Sequence, residues 1–158
     1  MNDIPQAVEL PRLGEMGLAN FAPYLMNRIM GRYNQALRAE LADLGLTTAQ
    51  SRALATLSVV DGPLIRELSV LTVTEQSTLS RALDQLAAQS MVRREADTTD
   101  SRATRIFITD TGRAAVERLW PHMAQAQEGM FKGISPEERR AFVATLQLIL
   151  GNIKKNDI

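Results

Sequence analysis

The sequence predicts a mainly α-helical fold that carries one small β-hairpin, and three observations predict it. Apolar residues recur at helical spacing over long stretches near both ends of the chain. Two short helical patterns joined by a tight turn lie between them. Directly after these, the apolar period drops from about 3.6 to 2 over two runs separated by a polar turn.

Each element follows in chain order. Residues 1–17 hold Pro5, Pro11, Gly14 and Gly17 with weak periodicity and read as an irregular N-terminal arm. From about Ala19 to Leu44 one long helix is expected, because Phe21, Leu25, Ile29, Tyr33, Leu37 and Leu41 recur at a constant helical step, with Leu44 close behind. Asn20 or Ala22 begins it, Pro23 sits in the first turn where its missing N–H costs nothing, and Gly45 stops it. Thr47-Thr48-Ala49-Gln50 has the spacing of a capping box and opens a short helix carrying Ala53, Leu54 and Leu57. Asp61-Gly62-Pro63 ends that segment with a turn.

A second short helix is expected from Ile65 to Leu71, with Thr72-Val73-Thr74 as the turn after it. Either Thr72, with Glu75 at capping-box spacing, or Thr74 caps the next helix. That helix runs from about Glu75 to Gln89. It buries Leu79, Ala82, Leu83 and Leu86 and offers Gln76, Ser77, Thr78, Ser80, Arg81, Asp84 and Gln85 on the opposite face. Met91 to Glu95 reads as a strand, Asp97-Thr98-Thr99-Asp100-Ser101-Arg102 as a polar turn, and Ala103 to Thr109 as a second strand with Ile106 and Ile108 on one face. Asp110-Thr111-Gly112 starts a long helix to about Phe131, apolar at Val116, Leu119, Trp120, Met123 and Met130, in which Pro121 should introduce a kink. Ser135-Pro136-Glu137-Glu138 opens the last helix with a serine cap, a proline at the first position and a glutamate at the third. Phe142, Leu146, Ile149, Leu150 and Ile153 form its apolar set. The whole reads as a winged helix-turn-helix flanked by long helices.

Composition narrows the functional classes. The chain has 158 residues, 45% hydrophobic and 23% charged, which is ordinary globular composition. Eighteen basic residues balance eighteen acidic ones, so net charge gives no sign of a nucleic-acid partner. The basic set is mostly arginine, with Lys132, Lys154 and Lys155 as the lysines, and arginine suits forked contacts to phosphates and base edges. With no cysteine, disulfides, thiolate zinc sites and thiol redox sensing are excluded. His122 is the one histidine and cannot build a metal site alone; no metal and no cofactor are expected. Glycine-rich phosphate loops and nucleophile-elbow patterns are absent, so the chain does not read as an enzyme. The N-terminus does not resemble a signal peptide, and no apolar run approaches the ~20 residues of a membrane helix, so the expected location is cytoplasmic.

The helix from Glu75 to Gln89 carries the functional reading. A helix laid in the major groove reads base edges with the side chains of its N-terminal turns. Gln76, Ser77, Thr78, Ser80 and Arg81 supply short hydrogen-bonding groups and one forked donor there. The hairpin adds Arg93, Arg94, Arg102 and Arg105. Arg102 sits near the tip, where a guanidinium could enter a narrow minor groove, and Asp100 could hold it in place. From Asp61 to Arg113, however, seven arginines face eight acidic residues, a net charge of −1. DNA binding therefore requires the arginines to gather on one surface and the acids to lie elsewhere. A winged-helix module that binds protein instead of DNA is the alternative.

At these residues the chain resembles the MarR family of bacterial regulators. Asp100-Ser101-Arg102-Ala103-Thr104-Arg105-Ile106-Phe107-Ile108-Thr109 is similar to that family's D-x-R-x-x-x-(apolar)-x-(apolar)-T wing pattern. Ser77-Thr78-Leu79-Ser80-Arg81 resembles its recognition-helix start, and Val92-Arg93-Arg94 its first wing strand. Leu46-Thr47-x-x-Gln50, Thr109-x-x-Gly112 and Ser135-Pro136-Glu137-Glu138 also match. The resemblance spans residues 20–152 and departs at Ser90, where many members have glycine, and in the few basic residues of the helix-turn-helix.

The resemblance implies a homodimer that reads a near-palindromic stretch of double-stranded DNA and acts in transcription as a repressor or an activator, more readily the former. It implies a division into an arm (1–17), a dimerisation helix (18–45), a DNA-binding region (46–113) and C-terminal dimerisation helices (114–158). DNA contacts fall on Gln76, Ser77, Thr78, Ser80, Arg81, Arg94, Asp100 and Arg102. It further implies a small effector, often aromatic in that family, between the dimer helices and the DNA-binding lobe, with Tyr24, Arg28, Met30, Tyr33 and Trp120 as candidate lining.

Overall fold

In the computed structural model, residues 10–153 are described, and the first nine residues of the expected arm and the last five of the chain lie outside them. The chain divides into two compact units, residues 1–36 and 37–158.

The first unit holds a single helical turn α1 (Leu13–Met16), a 3-10 turn (Leu18–Asn20) and helix α2 (Ala22–Ala36). The arm is therefore not wholly irregular: the Arg12 N–H donates to Glu15 Oε2 at 3.0 Å and closes one turn. Helix α2 starts at Ala22 with Pro23 in its first turn, as the sequence predicts. Phe21, Leu25 and Ile29 on its apolar stripe are 37%, 40% and 44% exposed.

The second unit begins where the expected single helix breaks. Leu37 is a turn residue, and a separate helix α3 (Arg38–Asp43) follows it. Leu37 and Leu41 are buried, unlike Phe21, Leu25 and Ile29. The period of the sequence passes across the break unchanged, so spacing alone leaves no mark of it.

Four helices then build the core of this unit: α4 (Thr48–Leu57), α5 (Ile65–Thr72), α6 (Gln76–Ala88) and α7 (Asp110–Met130). The expected capping box of α4 is complete, with Thr47 Oγ1 accepting from the Gln50 N–H and Gln50 Oε1 accepting from the Thr47 N–H. Leu54, Leu57, Leu68, Leu79, Leu83, Leu86 and Ile106 are the largest fully buried side chains, so these helices and the hairpin share one core. Strands β1 (Val92–Ala96) and β2 (Thr104–Ile108) pair antiparallel, with Arg94 opposite Ile106. The segment before α5 adds a short edge: Leu64 bridges Arg105, and the Ile106 N–H donates to the Pro63 carbonyl at 3.0 Å.

Helix α7 runs unbroken through Pro121, whose missing N–H leaves the Glu117 carbonyl without its helical partner. Helix α8 (Pro136–Ile153) opens with both halves of the expected capping box, between Ser135 and Glu138. These bonds hold the Glu138 carboxyl below the usual carboxylate range. No residue of α8 is buried; Phe142, Leu150 and Ile153 are 44%, 60% and 69% exposed. Among the described residues no helix is long and apolar enough to cross a membrane, and no group of three or more His, Asp or Glu side chains is placed to hold a metal ion.

Candidate nucleic-acid interface

The position of α6 follows from one buried stripe and two polar ties. Leu79, Leu83 and Leu86 are fully buried, which turns the opposite face outward. Buried Gln50 reaches from α4 and donates through Nε2 to Gln85 Oε1 at 2.7 Å. The turn ahead of α6 is locked as well. Val73 adopts a left-handed conformation (φ 50°), the Ser69 hydroxyl donates to the Thr74 carbonyl, and the Thr74 N–H donates back to the Ser69 carbonyl.

Neither threonine caps α6. Thr72 is the last residue of α5 and its buried hydroxyl donates to the Leu68 carbonyl. Thr74 donates to the Thr72 carbonyl, and Glu75 occupies the cap position with no side-chain bond to the helix. Gln76, Ser77, Thr78 and Arg81 are exposed, and Ser80 is half-buried. Arg81 Nε donates to the Ser77 carbonyl at 3.3 Å.

The hairpin is organised by a residue that sequence reasoning passed over. Asp97 is buried, and its Oδ2 accepts from the Thr99 hydroxyl and from the Thr99 and Asp100 N–H groups. Its Oδ1 accepts from Arg105 Nε, and Arg105 Nη1 donates onward to the Gly62 carbonyl at 2.7 Å. The bonds from Thr99 and Arg105 hold the Asp97 carboxyl well below the usual carboxylate range. Arg105 thus ties the wing to the turn before α5, which removes it from the set of free wing arginines.

Several other charges of the module also find local partners. Arg93 pairs with Glu95 and lies over the Phe107 ring at 4.4 Å. Arg94 pairs with Asp84 of α6 at 2.8 Å. Glu67 accepts from the Leu64 N–H at the start of α5. Asp100 does not hold the Arg102 guanidinium, as the sequence suggested. It accepts from the Arg102 backbone N–H at 3.0 Å and so shapes the tip of the hairpin. Among the described residues Arg81 and Arg102 form no ion pair and are exposed. Within the net charge of −1 over this region, Arg81 on α6 and Arg102 at the hairpin tip are guanidiniums that no carboxylate among the described residues engages.

A second candidate feature lies behind the module. An open groove of about 620 Å³ runs between α4 and α7, lined by Ala55, Ser58, Val59, Arg113, Val116, Glu117, Trp120 and Met123. Arg113 Nη1 donates to the Ser58 carbonyl at 3.3 Å, which sets the guanidinium at its edge. Of the predicted effector residues, Trp120 lies in this groove. Tyr24, Arg28, Met30 and Tyr33 belong to the first unit. There Arg28 donates to the Tyr24 hydroxyl at 2.8 Å, and burial raises the Tyr33 hydroxyl above its ordinary pKa.

A helix pair with a tight turn, an exposed polar second helix and an arginine-tipped hairpin define the winged helix-turn-helix class. A family model described as MarR family matches residues 44–103. The chain is similar to a MarR-family transcriptional regulator from Silicibacter pomeroyi at 55% identity, covering 94% of this chain and 100% of that one with a TM-score of 0.89. The chain belongs to the MarR family of transcriptional regulators.

More distant relatives agree. The transcriptional repressor IacR of Pseudomonas putida is 23% identical over 144 residues, 91% of this chain and 86% of that protein. BpsR of Bordetella bronchiseptica, solved in connection with regulation of its DNA binding by 6-hydroxynicotinic acid, is 26% identical, covers 81% of this chain and 97% of that one, and has a TM-score of 0.70. Three curated but uncharacterised regulators match over about half of their own length.

Proposed function

We propose that two copies of this chain bind one near-palindromic DNA duplex and repress transcription from it. Each copy lays α6 in the major groove, with half-sites about one helical turn apart. Gln76, Ser77, Thr78, Ser80 and Arg81 take base edges or phosphates, and Arg102 enters the minor groove from a tip shaped by Asp100. One observation carries this reading: Glu95, Asp84 and Asp97 pair with Arg93, Arg94 and Arg105, while Arg81 on α6 and Arg102 at the hairpin tip are exposed and outside any ion pair among the described residues. Exposed arginines on both α6 and the hairpin tip favour a phosphate-bearing partner over the alternative, a module that binds protein.

The dimer rests on uncovered apolar surface. A helix with Phe142, Leu150 and Ile153 more than a third exposed is costly in water, and a second copy would cover it. Residues 18–45 and 114–158 are proposed as the dimerisation helices, and 46–113 as the DNA-binding region.

The groove beside Trp120 suits a small aromatic acid. Its volume of about 620 Å³ falls within the range of small-molecule pockets. Trp120 offers a stacking face, and Arg113 offers a fork for a carboxylate. Relief of repression then needs only differential affinity for a dimer whose recognition helices are set off the groove spacing. Selection of genomic fragments bound by the full chain, with and without a panel of aromatic acids, tests the reading. It expects one enriched near-palindrome that at least one acid releases. Random fragments recovered in both arms would overturn it.

A further inference from the structure

On the exposed side of α6 stands a carboxylate. Ser77, Arg81, Asp84 and Ala88 recur at helical spacing on the face opposite Leu79, Leu83 and Leu86, and all four are exposed. Asp84 therefore shares the surface that the proposed function assigns to base edges. A carboxylate there meets the phosphate charge of the duplex unfavourably. It does not stand alone, because its Oδ1 pairs with Arg94 Nη2 of the first wing strand at 2.8 Å. The two side chains are 61% and 36% exposed, so water reaches the pair and either member can exchange it for another partner.

We propose that Asp84 is a specificity-determining residue that rations Arg94. On DNA of arbitrary sequence Asp84 keeps Arg94, and the pair adds no net charge to phosphate binding. On a site that presents a cytosine N4 amine to α6, Asp84 accepts from that amine, as carboxylates do in the major groove. Arg94 is then released to a phosphate. One base contact thus brings a second, non-specific contact with it, and only where the base is right. The inference rests on the DNA-binding reading above.

The test uses the full chain, the duplex recovered by fragment selection and a random-sequence duplex, with affinity read by fluorescence anisotropy across salt concentrations. Asp84→Asn removes the charge but keeps the shape. Arg94 should then reach phosphate on any sequence, and the slope of log affinity against log salt on random DNA should steepen by about 0.9. Between roughly 50 and 200 mM salt the variant should lose about 3.5-fold more affinity than the parent. At one operator position per half-site, preference should move from cytosine to adenine, the base that asparagine reads. Arg94→Ala added to Asp84→Asn should restore the parent slope. Unchanged slope and base preference in Asp84→Asn, with Arg81→Ala still weakening binding, would overturn this inference alone. If Arg81→Ala and Arg102→Ala also leave binding unchanged, the DNA-binding surface itself is wrong and the inference falls with it.

Discussion

Gly112 is the tightest joint between the wing and the helix behind it, and replacing it with alanine should be destabilising despite its helical position. A methyl group built at Gly112 would overlap the Met91 carbonyl oxygen and would lie 2.8 Å from Ile108 Cγ1. The Met91 carbonyl cannot move freely, since it accepts from the Thr109 N–H at 3.0 Å. Thr109 in turn caps α7 by accepting from the Gly112 N–H, and its hydroxyl donates to the Ser90 carbonyl at 2.6 Å. Forcing the two backbones apart adds overpacking strain of about 1–3 kcal/mol. Weakening the Thr109–Met91 bond adds about 1 kcal/mol. Less the roughly 0.5–1 kcal/mol that alanine gains in helix propensity, Gly112→Ala should lose about 1–3 kcal/mol in urea unfolding at fixed protein concentration. Gly129 is the internal control, because it lies in the same helix with open space around its Cα. Gly129→Ala should gain roughly 0.5–1 kcal/mol from helix propensity. Equal effects of the two substitutions, or a neutral Gly112→Ala, would refute the joint.

Other expectations concern strain, acid and effector. Ser90 holds a left-handed backbone at φ 57°, so Ser90→Gly should raise stability by about 0.5–1 kcal/mol, the strain relieved less the entropy glycine adds; a fall in the urea midpoint would count against it. Folding lowers the Asp97 pKa, so its contribution is complete above the unfolded value of 3.8 and is lost as pH falls below that. Asp97→Asn should flatten the acid limb of a stability–pH profile while leaving the chain weaker at neutral pH, and an unchanged limb would contradict the hub. Trp120 is the one tryptophan and is 58% exposed, so an aromatic acid in the groove should change its fluorescence saturably. Arg113→Gln should weaken that binding by about 1.5–3 kcal/mol, and equal affinity in the variant would move the carboxylate away from Arg113.

What the sequence made legible was local. The capping boxes at Thr47 and Ser135 lie within four residues, and both form. The period of Leu79, Leu83 and Leu86 predicts the buried side of α6, and the switch to period 2 predicts the hairpin. What stayed hidden depends on distant partners. Arg105 reads as one more wing arginine until the Gly62 carbonyl, 43 positions away, takes its guanidinium. Arg94 reads as free until Asp84 arrives from another element. Thr72 matches a capping box, yet the α5 backbone captures its hydroxyl first. Asp97 carried a faint signal: an acid followed at two residues by threonine is a common turn former, and a buried turn acid needs a cation.

Salt-dependent binding of the selected duplex by the parent chain, Arg81→Ala and Arg102→Ala tests the recognition surface most directly. Each variant should lose about 1–3 kcal/mol of affinity for that duplex, with unfolding midpoints unchanged, since both side chains are exposed and free of ion pairs. Parent affinity in both variants would place DNA recognition on some other surface of this protein.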